Sequence, residues 1–109
     1  MTYTRDVNVI AYRTIRAFCE HQPEAEPVLR SWYNLLCKLE PENFAQLKAF
    51  FPAVDTAKAK DGTLVFIFDV GGNKYRVITR IDFEFRAVFI LYVLNHKEYD
   101  KWNKGGRPS

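Results

Sequence analysis

Residues 74–82 read Lys-Tyr-Arg-Val-Ile-Thr-Arg-Ile-Asp. In a strand, side chains alternate between faces, so Lys74, Arg76, Ile78, Arg80 and Asp82 fall on one side and Tyr75, Val77, Thr79 and Ile81 on the other. Three cations on one strand face suit a polyanion, because a guanidinium fixed on a rigid strand can meet phosphate oxygens through two parallel N–H bonds. A plainly solvated outer face of an antiparallel strand has the same pattern.

A second cluster closes the chain. In Asn95-His96-Lys97-Glu98-Tyr99-Asp100-Lys101, helical spacing puts His96, Tyr99 and Asp100 on one face, with Lys97 and Lys101 as a neighbouring basic pair. Histidine is the side chain best suited to moving a proton near neutral pH. The alternative is structural, with Tyr99 and Trp102 packing the last helix onto a sheet and His96 merely starting it. Other chemistries are poorly supplied. Two His and two Cys without zinc-like spacing call for no metal or cofactor, and Cys19 and Cys37 sit in helical patterns as reduced core thiols. Gly71-Gly72 precedes a strand, so it reads as a hairpin turn requiring positive φ and not as a phosphate cradle before a helix.

The elements that must position these groups follow from periodicity. A short β-prone run at 7–11 leads into a helix through Ile15, Phe18 and Cys19 that ends before Pro23. Val28, Trp32, Leu35, Leu36 and Leu39 make one helix face up to Pro41. Phe44, Leu47, Phe50 and Phe51 make a shorter helix from Glu42 or Asn43 to Pro52. From residue 56 the pattern becomes β: strands at 56–60, 63–70, 74–83 and 87–94, joined by turns at Asp61-Gly62 and Gly71-Gly72-Asn73. Stretches 64–68 and 88–94 are apolar on both faces, as in central strands covered on one side by helices and partly on the other. Asn95 and Glu98 form a capping box for a helix at 96–102, and 103–109 should be a loose tail. The fold class is α+β: an antiparallel meander packed by N-terminal helices, with a short C-terminal helix.

Length and composition agree with one domain over 1–109. The chain has 109 residues, 48% hydrophobic and 27% charged, enough for a single core and too apolar for disorder. No signal peptide or spanning helix is evident, so a cytoplasmic protein without membrane contact is expected. Net charge is +3. Residues 1–56 carry six basic and seven acidic side chains and residues 57–109 carry ten and six, so a polyanion-binding surface belongs to the second half.

Two stretches resemble a known family. Phe66-Ile67-Phe68-Asp69-Val70-Gly71-Gly72-Asn73-Lys74-Tyr75-Arg76-Val77-Ile78, followed by Asn95-His96-Lys97-Glu98-Tyr99-Asp100-Lys101, is similar to the HigB family of type II toxins, and Leu47-Lys48-Ala49-Phe50-Phe51-Pro52 resembles that family's helix ending in Phe-Pro. The resemblance covers residues 44–102 by motif and the remainder by length and element order. It implies a RelE/ParE-like α+β domain acting as a ribosome-dependent mRNA interferase, neutralised by a HigA-like helix-turn-helix antitoxin, with ribosome and mRNA as its other partners. The implied cleavage needs no metal, since the RNA 2′-hydroxyl attacks the adjacent phosphate. On this resemblance Arg76 and Arg80 meet the scissile phosphate, and His96 acts as base or acid. Tyr99 stacks or hydrogen-bonds at the reacting nucleotide, while Lys74, Lys97 and Lys101 hold RNA backbone.

Two positions depart from the family. Asn95 stands where Thr is usual and can still cap the helix. Leu91 stands where a basic residue is common on the last strand, so either Arg80 or Arg86 compensates, the activity is reduced, or that position is not essential. Two other functions compete with cleavage: an RNA- or ribosome-binding module that leaves RNA intact, and a ParE-like toxin acting on DNA gyrase through protein contact, for which Arg76 and His96 would be incidental.

Overall fold

In the first half of the chain the apolar stripes set the helices. The computed structural model describes residues 8–10, as backbone, and 12–108. Helix α1, Tyr12–His21, buries Ile15 and rests Phe18 and Cys19 on the same core. Pro23 opens a single 3-10 turn, Pro23–Ala25, that runs directly into α2, Glu26–Leu39. Leu29, Trp32 and Leu36 are the buried stripe of α2. The helix stops at Glu40, which adopts a left-handed φ of 48° one residue before Pro41. Asn43 caps α3, Phe44–Phe50, by accepting the Gln46 N–H at 2.8 Å.

The second half is the expected meander: β2, Asp55–Lys58; β3, Leu64–Val70; β4, Tyr75–Asp82; and β5, Ala87–Asn95. Each pairs antiparallel with the next. The first strand, β1, Asn8–Ile10, adds itself parallel to the outer side of β5, giving the order β1-β5-β4-β3-β2. Positions 7 and 11 of the expected run lie outside the described residues. With β1 in place, β5 is an interior strand, which accounts for its apolar character on both faces.

The two faces carry separate clusters. Phe66, Phe68, Val70, Tyr75, Val77, Val88, Ile90 and Val93 meet the helices, with the Trp32 and Phe68 rings 5.0 Å apart. Val65, Ile67 and Ile78 face the other way, beneath Trp102 of helix α4, His96–Lys104. The capping box holds: Asn95 Oδ1 accepts the Glu98 N–H at 2.8 Å and Glu98 Oε1 accepts the Asn95 N–H at 2.9 Å. Helix α4 runs two residues beyond the expected end. The segment after it, expected to be loose, makes contacts of its own: the Lys60 N–H donates to the Arg107 carbonyl at 2.9 Å, and Trp102 Nε1–H to the Pro108 carbonyl at 2.8 Å.

Ile78 pairs with Tyr92 but Thr79 pairs with Ile90, so Leu91 is an extra residue in β5. The bulge breaks strict alternation and puts both Leu91 and Tyr92 against the outer cluster. Among the described residues, no helix is long and apolar enough to cross a membrane.

Candidate active site

The turn between β3 and β4 decides where Arg76 goes. Gly71, Gly72 and Asn73 take φ of 70°, 60° and 74°, a run of left-handed residues that two glycines make feasible. The turn occupies four residues: Lys74 belongs to it, and β4 begins at Tyr75 and not at the expected Lys74. This fixes Val70 opposite Tyr75 and Asp69 opposite Arg76. A three-residue turn would have paired Asp69 with Tyr75 and parted the two charged residues.

Arg76 is held from three sides. Its Nη1 lies 3.3 Å from Asp69 Oδ1, its Nη2 donates to Asn73 Oδ1 at 3.2 Å, and its guanidinium carbon sits 5.1 Å from the centroid of the Tyr99 ring. The same Asp69 Oδ1 accepts the Asn73 N–H at 2.8 Å. One carboxylate therefore fixes both turn and guanidinium. A guanidinium offers five N–H groups, so three remain after these bonds, although the side chain is only 15% exposed. Tyr99 in turn stacks on Trp102, centroids 5.9 Å apart at 27°. Arg76 and Tyr99, expected in one site from distant parts of the chain, do meet.

His96 is the first residue of α4 and exposed, its Nε2 3.7 Å from Asp100 Oδ2. Lys74, Lys97 and Lys101 are all exposed, the first in the turn and the other two one helical turn apart on α4. Arg80 is the residue that separates from the others. Four residues along β4 it is displaced by about 13 Å at strand rise, and its guanidinium lies 4.1 Å from the centroid of Phe89, its cross-strand neighbour. Arg76 and Arg80, both expected at the scissile phosphate and its developing charge, are thus each anchored to a different partner. Arg86, the other arginine weighed for the missing strand cation at Leu91, pairs with Glu40 at 3.3 Å and Glu42 at 3.1 Å.

Three residues of the site escaped sequence reasoning. Asp69 and Asn73 orient Arg76, and Trp102 backs Tyr99. For Asp69 a signal existed: once the turn is counted as four residues, positions 69 and 76 are symmetric about it. Neither Cys19 nor Cys37 is in a disulfide, and both are half-buried rather than core. Burial, reinforced by the Glu26 carboxylate, pushes the Cys19 thiol up, so it is the protonated thiol at neutral pH and a poor nucleophile.

The chain matches known proteins over most of its length. A family model described as HigB_toxin, RelE-like toxic component of a toxin-antitoxin system, matches residues 25–102. Among curated proteins, the mRNA interferase toxin HigB of Escherichia coli (strain K12) is 32% identical over 94 residues, 86% of this chain and 88% of that protein. The mRNA interferase HigB of Shigella flexneri gives the same figures. A further mRNA interferase HigB, from Escherichia coli O6:H1 (strain CFT073), is 27% identical over 95 residues, 87% of this chain and 90% of that protein.

Proposed function

The chain belongs to the HigB family of RelE-like toxins, and from that premise we propose that it is the toxin of a type II toxin-antitoxin pair, an endoribonuclease that cuts mRNA on the translating ribosome. The observation that carries the reading is Arg76, set on a rigid strand by Asp69 and Asn73 with Tyr99 over it and exposed lysines on the adjoining turn and helix.

The reaction we assign is attack of the RNA 2′-hydroxyl oxygen on the neighbouring phosphorus. The bond to the 5′ oxygen breaks, leaving a 2′,3′-cyclic phosphate and a 5′-hydroxyl. It requires a group to take the 2′ proton, a group to protonate the leaving oxygen, and cations for the charge built up at phosphorus. Arg76 supplies the last through its remaining N–H groups. His96 moves one of the protons. Tyr99 stacks or hydrogen-bonds at the reacting nucleotide, and Lys74, Lys97 and Lys101 hold backbone phosphates, a salt-sensitive contribution. The partner is a HigA-like helix-turn-helix antitoxin, and the setting is the cytoplasm.

The test is to map message 5′ ends after incubation with translating ribosomes, for the wild type, Arg76→Ala and His96→Ala. Ribosome-dependent cuts that fall at least a hundredfold in Arg76→Ala support the reading. Intact messages with the wild-type protein would overturn it, and would leave binding without cleavage or a gyrase target as the function.

A further inference from the structure

Three arginines lie between positions 76 and 86, and two of them face carboxylates: Arg76 meets Asp69, and Arg86 meets Glu40 and Glu42. Arg80 differs. It is exposed, no carboxylate among the described residues lies within ion-pair distance of it, and its contact is the face of Phe89. A guanidinium held over an aromatic ring keeps N–H groups for another partner, and it has already given up much of its rotamer freedom. Such a group is ready for an anion and loses little entropy on taking one.

Its place on the sheet says which anion. Arg80 shares the outer face of β4 with Arg76, two strand steps beyond Ile78, which lies under Trp102. Trp102 of helix α4 packs in the cluster with Ile78, between the two arginines, while Arg80 is exposed. A polyanionic chain engaged at Arg76 therefore has to pass round α4 to reach Arg80 beyond it. We propose that Arg80, shelved on Phe89, is a second phosphate-binding position for the RNA strand, about 13 Å along β4 from Arg76 and outside the cleavage step. This rests on the reading of the chain as an mRNA-cleaving enzyme. It assigns Arg80 a role in holding substrate, and it makes Phe89 a positioning residue that acts through Arg80.

The test uses the full chain with a labelled single-stranded RNA of about ten nucleotides, carrying 2′-O-methyl groups so that it cannot be cut, and measures Kd across a salt series. Arg80→Gln is expected to weaken binding severalfold and to lower the slope of log K against log salt by about 0.7, the value for one phosphate contact on a single strand. Phe89→Leu should weaken binding while keeping the wild-type slope, because the charge stays, and Phe89→Tyr should restore wild-type affinity. On translating ribosomes Arg80→Gln should raise KM and leave kcat unchanged. An unchanged salt slope in Arg80→Gln, or a fall in kcat without a rise in KM, would overturn the proposal. Arg76→Gln separates the two readings: if it cleaves like the wild type while Arg80→Gln still loses its phosphate contact, the assigned reaction centre fails and the second position stands. If the wild type neither binds the oligonucleotide nor cuts messages, both fall.

Discussion

Asp69 holds Arg76 and the turn before it with a single oxygen: Oδ1 lies 3.3 Å from Arg76 Nη1 and accepts the Asn73 N–H at 2.8 Å. Orientation and charge can therefore be separated by mutation. Asp69→Asn keeps an oxygen for the Asn73 N–H while removing the charge that grips Arg76. Message cleavage should fall by about tenfold, in keeping with the loss of a charge-assisted bond of about 1.5–3 kcal/mol, while affinity for single-stranded RNA does not weaken, because net positive charge rises. A parallel loss of binding and cleavage would show that Asp69 serves affinity and not orientation.

Tyr99 is a ring between Arg76 and Trp102. If the ring is what the site uses, Tyr99→Phe should cleave within about threefold of the wild type and Tyr99→Leu should lose tenfold or more, since an aromatic–base stack is worth about 1–3 kcal/mol. A Tyr99→Phe variant as inactive as Tyr99→Leu would instead assign the chemistry to the hydroxyl. Thermal unfolding of both variants checks that Trp102 remains packed.

His96 is exposed at the start of α4, so removing it disturbs little of the core. His96→Gln should lower cleavage by about 10²–10⁴, the usual yield of a general acid or base, with an unfolding temperature close to that of the wild type. The pH–rate profile should lose one limb. A profile that keeps both limbs would pass the proton transfer to another group and leave His96 as a helix-terminal residue only.

Tyr75 lies in the core against Phe18, the rings 5.7 Å apart. Burial, with Glu24 and Cys19 adding to it, pushes its phenol above the ordinary 10.0. The folded state therefore keeps the proton that the unfolded state releases. This contribution to stability is complete below about pH 10 and disappears as pH rises through the folded-state value. Tyr33, raised chiefly by burial, acts in the same direction. Tyr75→Phe should show a smaller drop in unfolding temperature between about pH 9 and 11.5 than the wild type. Equal drops would mean that Tyr75 titrates freely in the native state.

The sequence by itself determined the elements and their faces. Helical and alternating periodicities are local, so Trp32 and Leu36 marked the buried stripe of α2, though the stripe turns to include Leu29 and leaves Leu35 exposed, and Arg76, Ile78 and Arg80 marked one face of β4, without knowledge of their neighbours. The Asn95/Glu98 capping box was equally legible, since both partners lie within one helical turn. Register and anchoring were different, because they depend on contacts between positions far apart in the chain. The four-residue turn moved β4 by one position and brought Asp69 to Arg76, and the bulge at Leu91 turned two consecutive β5 residues to one face. The parallel docking of β1 on β5 joins residues nearly eighty positions apart. Packing of α4 across the outer face brought Tyr99 to Arg76 and left Arg80 on Phe89. Local patterns could nominate these side chains for a site; only the folded sheet divided them between two places on it.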